Sequence, residues 1–387
     1  MKRLAIITTH PIQYNAPLFA LIAARKRLDI KVYYTWGPAV QNKKYDPGFG
    51  KNIQWDIPLL DGYDHEFVYN RSTNPGSHHF YGIDNPGLIK TIEAWGADVV
   101  LIYGWAFKSH LKALRYFHGR LPVLFRGDST LLNEKGGVKK IARRIFLRWV
   151  YRHVDYALYA GTNNMAYFLQ HGLKKTQLVK ALHAVDNDRF AVQHCKYQAA
   201  ALQWKRKLGI SENELTVLFA GKLEPVKNPG FMIELGKQLN KLPVKIIMVG
   251  NGSMETQLKY DTENDTRFIF IDFQNQQNMP VVYRMADVYL MPSKSETWGL
   301  GVNEAMACGR VILLSDKVGS AADLVTNGSN GMVFGLNDTD ACIAFIKTLV
   351  NDRTLLQSMQ LVSLKKIKDF TFTNIAMQIE QLGLSLT

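Results

Sequence analysis

The 387-residue chain is 47% hydrophobic and 21% charged with a formal net charge of +14, a globular composition too long for one ordinary core, so two domains are expected. No apolar run has the length of a bilayer span, and the basic start "MKRLAIITTHPIQ" meets His10 and Pro11 too soon for a signal peptide, which argues against a spanning or secreted protein and for the cytoplasm. Cys195, Cys308 and Cys342 are odd in number and far apart, which argues against a disulfide framework or a cysteine-rich metal site and leaves buried free thiols as the expectation.

Along the chain, "RLAIITT" reads as a buried strand, "APLFALIAARKRL" as a helix and "DIKVYYTW" as a second strand. The alternation resumes with the strand runs "ADVVLIYG", "LPVLFRG" and "VDYALYAGT" and helical stretches such as "HLKALRYFHG" and "NMAYFLQHG". After "LHAVDNDRFA" and the charged helical stretch "HCKYQAAALQWKRKLGI" it restarts with "LTVLFAGKL", "VKIIMVGNG", "RFIFIDF", "ADVYLMPS" and "RVILLS". The pattern predicts an α/β chain of two doubly wound Rossmann-like domains, 1–185 and 186–368, and an amphipathic terminal helix in 369–387. Asp186-Asn187-Asp188 has the spacing of a metal-binding pair and reads instead as the hinge between domains.

The charge divides unevenly between these halves. Residues 1–185 hold 26 Lys and Arg against 12 Asp and Glu, whereas residues 186–387 hold 21 of each class. An excess confined to one domain reports a negatively charged partner.

Chemistry concentrates in "SETWGLGVNEAMACGR", residues 295–310. On one continuous helix Glu296 and Glu304 would stand about 12 Å apart on different faces. Gly299 and Gly301 instead suggest a turn that opens a helix, with Glu304 in its first turn and Gly309 past its last. Leu300, Gly301 and Val302 then form a helix N-terminus, and the N–H groups of Gly301 and Val302 are expected to be available to an anion such as a diphosphate. "FAGKLEPVKNPG" adds Lys222 just after a strand and Lys227 five residues later, two ammonium groups at the same sheet edge. Gly250, in "GNG" at 250–252, lacks the third glycine of a dinucleotide fingerprint and reads as a tight turn.

Together these features make the sequence resemble the retaining glycosyltransferases of family 4, which have the GT-B fold of two Rossmann-like domains facing a central cleft. The family's pattern of two glutamates separated by seven residues is met by Glu296 and Glu304, and its basic pair by Lys222 and Lys227. "MVGNG" and "ADVYLMPS" also match its spacing, and "HPIQYNAPLF" resembles a subset of its members. The resemblance implies that Glu304 accepts hydrogen bonds from ribose hydroxyls and Glu296 from donor-sugar hydroxyls. The diphosphate between them would lie on the helix N-terminus, with Lys222 and Lys227 stabilising charge on the leaving group. It implies no cofactor and no metal, a nucleoside-diphosphate sugar as donor with a UDP-sugar ahead of a GDP-sugar, and a terminal helix crossing back to the N-terminal domain.

The acceptor side departs from the family, because "THPIQYNAP" contains no glycine where relatives carry a glycine-rich loop. His10 stands there at a strand end, as a site residue or a hydrogen-bonded loop histidine. Asp128, in "RGD" after "LPVLF", either orients the acceptor hydroxyl or caps a following helix. In the basic stretch from Lys135 to Asp155, Val138, Ile141, Ala142, Ile145, Phe146, Trp149 and Val150 recur at helical spacing. Two readings are open for residues 135–153: a core helix with a solvated charged face, or a helix lying on anionic lipid at the inner face of the membrane. The confinement of charge to this domain favours the second, and nucleic acid is set aside because no groove-reading or stacking module is recognisable. The expected activity is transfer to a glycan or lipid-linked acceptor in surface polysaccharide or glycolipid synthesis. A nucleotide-sugar-binding protein without transfer and a nucleotide-sugar epimerase are the alternatives.

Overall fold

The computed structural model describes residues 1–37, 44–46, 48–134, 136–191 and 194–386. Lys135, the first residue of the basic stretch, therefore lies outside the described residues. The chain forms two compact units, one of residues 1–43, 58–183 and 371–387, the other of residues 44–57 and 184–370.

The first unit is built on strands β1 (Arg3–Thr8) and β2 (Asp29–Tyr34). The chain then supplies an antiparallel hairpin, β3 (Lys44–Asp46) and β4 (Lys51–Ile53), to the second unit. It returns with β5 (Asp64–Phe67), β6 (Val99–Tyr103), β7 (Val123–Gly127), β8 (Tyr156–Tyr159) and β9 (Leu178–Lys180). These pair in the order β5-β2-β1-β6-β7-β8-β9, every pairing parallel. The strands are runs such as Leu4–Ile7 and Val99–Ile102 with no solvent-facing side, as a sheet covered on both faces requires. The order reverses direction between β1 and β6, which opens a crevice at their carboxyl ends.

The helix Phe372–Ser385 closes this unit. Thr371 caps it by accepting from the Asn374 N–H, and it buries Phe372, Ile375, Ala376 and Ile379. Gly383 packs directly on Leu28, and the buried Glu380 receives Arg25 Nε at 2.6 Å and Nη2 at 3.0 Å.

One polar group is sealed inside the first unit. His110 is fully buried, with Nδ1 donating to the Tyr103 carbonyl at 2.9 Å and Nε2 2.8 Å from Thr35 Oγ1. Burial lowers its pKa to about 4. The unfolded chain, with an ordinary histidine, takes up this proton first as pH falls. Stability present above about pH 6.5 is therefore lost progressively toward pH 4, by up to about 3 kcal/mol. His183 is shifted the same way, by burial and then by Arg126, and adds to the trend. Urea midpoints measured between pH 7.5 and 4.5 should fall accordingly, with a shallower fall for His110→Gln; equal slopes would contradict the assignment.

The second unit repeats the plan with β10 (Leu215–Ala220), β11 (Val244–Val249), β12 (Phe268–Ile271), β13 (Val288–Met291), β14 (Val311–Ser315) and β15 (Gly331–Phe334). The order is β12-β11-β10-β13-β14-β15, all parallel, with the direction reversing between β10 and β13. Asp186 accepts from the Arg189 N–H and caps the short helix Asn187–Ala191, while Asn187 Nδ2 donates to the Phe370 carbonyl at 2.9 Å. Cys308 and Cys342 are buried as expected, but Cys195 is exposed on the helix His194–Lys207, whose polar face is too wide to bury it. Among the described residues no helix is long and apolar enough to cross a membrane.

Candidate functional site

The reversal between β10 and β13 places their carboxyl ends side by side, and the residues singled out in the second unit follow those two strands. After β13 the chain is fixed by its neighbour rather than by a helix. Glu296 N–H donates to the Lys317 carbonyl at 3.1 Å and its own carbonyl accepts from Gly319 N–H at 3.0 Å. These bonds hold the backbone of Glu296 against the loop that follows β14, so its side chain has a defined origin. Gly299 then adopts a left-handed φ of 89° and opens the helix Leu300–Ala307.

Two expectations about this helix need correction. Glu304 is its fifth residue, in the second turn rather than the first, because the helix begins at Leu300 and not earlier. The Val302 N–H is not available to an anion, since it donates to the Gly299 carbonyl at 2.9 Å in a tight first turn. The N-terminal dipole remains at Leu300 and Gly301. Gly301 is demanded by space: a Cβ there would sit 2.6 Å from the Tyr289 hydroxyl and 3.1 Å from that of Tyr283.

Those tyrosines define the centre of the arrangement. Glu304, 2% exposed, accepts from Tyr283 Oη at 2.7 Å and has Arg189 Nη2 3.9 Å from its other oxygen. The Tyr289 phenol is pushed up by burial and then by the negative charges of Glu304 and Glu296, and the helix N-terminus lies between the groups: a Cβ on Gly299 would be 3.3 Å from Glu296 Cγ, as one on Gly301 would be 2.6 Å from the Tyr289 hydroxyl. Lys227 donates to Glu296 Oε2. Glu296, Glu304 and Lys227 thus converge.

Lys222 is held by a different partner. Its ammonium lies 5.1 Å from the centre of the Phe49 ring, and Gly48 lies against its side chain so closely that a Cβ there would be 2.6 Å from Nζ. Phe49 is itself packed edge-on against Phe273 at 4.8 Å, and Lys51 pairs with Asp272 at 3.3 Å. The segment 48–57, expected within the N-terminal domain, therefore braces the edge of the second sheet. Gly250, expected in a tight turn, lies in the irregular segment after β11, where that segment crosses the loop after β10. Its φ is 131°, and a Cβ would meet the Gly221 carbonyl oxygen at 2.0 Å.

In the first unit His10 follows β1 and Asp128 follows β7, at carboxyl ends two strands apart and hence about 10 Å in the sheet. His10 Nδ1 is 2.9 Å from Thr9 Oγ1, and its ring stands edge-on to Trp36 at 4.9 Å. Asp128 is exposed and does not cap the helix that follows it in the chain, because that helix begins only at Val138. Its charge acts on the buried Arg126, which donates to the Ala181 carbonyl at 2.8 Å and approaches His183 Nδ1 at 3.4 Å.

Several participants were not singled out from sequence. Tyr283 and Tyr289 sit in "MPVVYRMA" and "ADVYLMPS", where a tyrosine looks like core. Phe49 sits in the turn-forming "YDPGFGKN"; an aromatic between two glycines was the available signal.

Residues 201–362 match the family model described as Glycosyl transferases group 1. D-inositol 3-phosphate glycosyltransferase of Rhodococcus erythropolis is 26% identical over 184 residues, 44% of this chain and 41% of that protein. UDP-Gal:alpha-D-GlcNAc-diphosphoundecaprenol alpha-1,3-galactosyltransferase of Escherichia coli is 29% identical over 156 residues, 38% of this chain and 40% of that one. The chain thus spans about two fifths of the length of these curated relatives. Among solved structures, HepE of Anabaena in complex with UDP superposes with a TM-score of 0.74 at 18% identity over 100% of both chains. Sucrose-phosphate synthase of Thermosynechococcus elongatus gives 0.73 at 16% identity, covering 100% of this chain and 99% of that one. These likenesses show the fold, GT-B.

Proposed function

We propose that the protein is a retaining, metal-independent glycosyltransferase of family 4 that moves a sugar from a nucleoside-diphosphate sugar to a glycan or lipid-linked acceptor. The observation that carries this reading is the convergence of Glu304, Glu296 and Lys227 around Tyr289, inside the segment that matches the group 1 model. Two carboxylates on either side of a helix N-terminus suit a ligand with hydroxyls at both ends and a diphosphate between them.

In this reading Glu304, oriented by Tyr283, holds the ribose hydroxyls, and Glu296 holds hydroxyls of the transferred sugar. Gly299, Leu300 and Gly301 face the diphosphate, with Gly250 letting the neighbouring loop approach. Lys227 and Lys222 offset the charge that develops on the diphosphate as the glycosidic bond breaks, which lowers the barrier because that charge is largest in the transition state. His10 and Asp128, at the edge of the first sheet, serve the acceptor. A UDP-sugar is placed ahead of a GDP-sugar, supported by the UDP bound to HepE and by the UDP-Gal that the Escherichia coli relative is named for. Surface polysaccharide or glycolipid assembly is the pathway class that relative suggests.

Calorimetric titration with UDP, GDP and ADP in the presence of EDTA tests the donor half, with UDP expected to bind most tightly. Failure of all three to bind would overturn it. Nucleotide release from a panel of UDP-sugars, with the product anomer assigned by NMR, tests transfer and retention. Conversion of the donor with no acceptor present would instead identify an epimerase.

A further inference from the structure

The helix Val138–Tyr151 is anchored in the first unit by Leu147, Val150 and Tyr151, which are buried. At about 100° per residue these lie near one meridian of the helix, and Val138, Ile141, Ala142 and Ile145 lie near the opposite one. The second set faces solvent: Val138 is 83% exposed, Ile141 62% and Ile145 65%. The apolar periodicity of this stretch is therefore not a core stripe. Its outer face carries branched aliphatic side chains for two turns, an arrangement unfavourable in water and unusual for a lone surface helix.

The surroundings identify what would cover it. The helix contains no acidic residue. Lys139 borders the stripe on one side and Arg148 on the other, while Arg152, seven residues after Ile145, continues its line at the end of the helix, all three exposed. The outer face ends in an aromatic group, in which the half-exposed Phe146 meets Trp105 at 5.4 Å and Trp149 at 5.6 Å, with the Arg115 guanidinium 5.4 Å from the Trp149 ring centre. Aliphatic side chains in the middle, indole at the end and cations along both borders match the layers of a bilayer surface, where acyl chains lie below carbonyls and phosphates.

We infer that this helix docks the chain onto an anionic lipid bilayer, with Val138, Ile141 and Ile145 entering the acyl boundary and Lys139, Arg148 and Arg152 meeting lipid phosphates. A protein partner covering the same stripe would need acidic groups on both sides of an apolar groove, whereas a bilayer of anionic lipid supplies them everywhere. The inference stands on the first unit alone and does not depend on the donor chemistry proposed above.

The test is cosedimentation of the full chain with vesicles of phosphatidylglycerol and phosphatidylcholine, and with vesicles of phosphatidylcholine alone. Binding is expected to the first, weakening as salt rises, with much less binding to the second. Ile141→Glu with Ile145→Glu should lower partitioning at least tenfold, and Arg148→Gln with Arg152→Gln by about 10- to 30-fold. All four positions are exposed, and unchanged thermal melts would confirm that the variants fold. Failure of the wild-type chain to sediment with anionic vesicles would overturn the inference. So would glutamate variants that sediment as well as wild type, equal binding to neutral vesicles, or a self-associated species in light scattering that the glutamate variants dissolve.

Discussion

Lys227→Ala is expected to lower turnover of the donor by ~10²–10³-fold while changing its KM much less. The ammonium group is bonded to Glu296, at the point where the proposed diphosphate gains negative charge during bond cleavage. An interaction that strengthens as that charge grows acts on kcat more than on ground-state binding. Lys227→Arg keeps the charge but spreads it over a planar fork, so it should restore only part of the activity. Because Lys227 and Glu296 touch, Lys227→Ala and Glu296→Ala should be strongly non-additive in a double-mutant cycle. Steady-state nucleotide release with melting curves for each variant provides the check. Turnover above about a third of wild type for Lys227→Ala would remove it from the chemistry.

The largest effect on stability is expected from Gly250→Ala, which should cost about 3–5 kcal/mol. The backbone there has a φ of 131°, which L side chains avoid, and the new Cβ would lie 2.0 Å from a carbonyl oxygen. That oxygen belongs to Gly221, whose N–H donates to Val249 at 2.9 Å, while Leu223 N–H donates to Asn251 at 2.9 Å. The two loops are therefore stitched together on both sides of the collision and cannot separate without losing backbone bonds. Lys222 lies between the stitches, so any surviving fold should also bind nucleotide less well. Urea denaturation with UDP titration measures both, and a loss below about 1 kcal/mol would show that the loops part easily.

The buried strands were legible because a parallel sheet covered on both faces forces unbroken apolar runs, and β1, β6, β10 and β13 all carry them. Of the edge strands only β12, in "RFIFIDF", was. β5 is "DHEF" and β15 is "GMVF", short sequences whose place is set by pairing with a covered neighbour rather than by their own pattern. The glutamates and lysines were visible through spacing and the turn glycines, yet their second partners were hidden. Tyr283 and Tyr289 look like core from sequence because their rings are core, and only their hydroxyls reach Glu304 or its surroundings. The bracing of Lys222 by Phe49 joins positions 173 residues apart, a separation over which local pattern carries no information. On the helix from Val138, periodicity found the apolar side of Val138, Ile141 and Ile145 but joined to it Val150, which is buried on the opposite face, and periodicity has no sign. It does not say whether that side meets protein or solvent.

The terminal helix completes a hydrophobic surface whose other wall, Ala16–Ala24 and Leu28, is synthesised long before it. During synthesis that wall is exposed until residues 371–386 emerge, although β1 to β9 are already available to pair. The second unit is continuous from 184 to 370 apart from its early hairpin, so it can mature while the first still waits. Translation thus reverses the order of the chain. The first unit is finished after the second, and a nascent chain stalled before Phe372 leaves Arg25 without its carboxylate and the face around Leu28 uncovered.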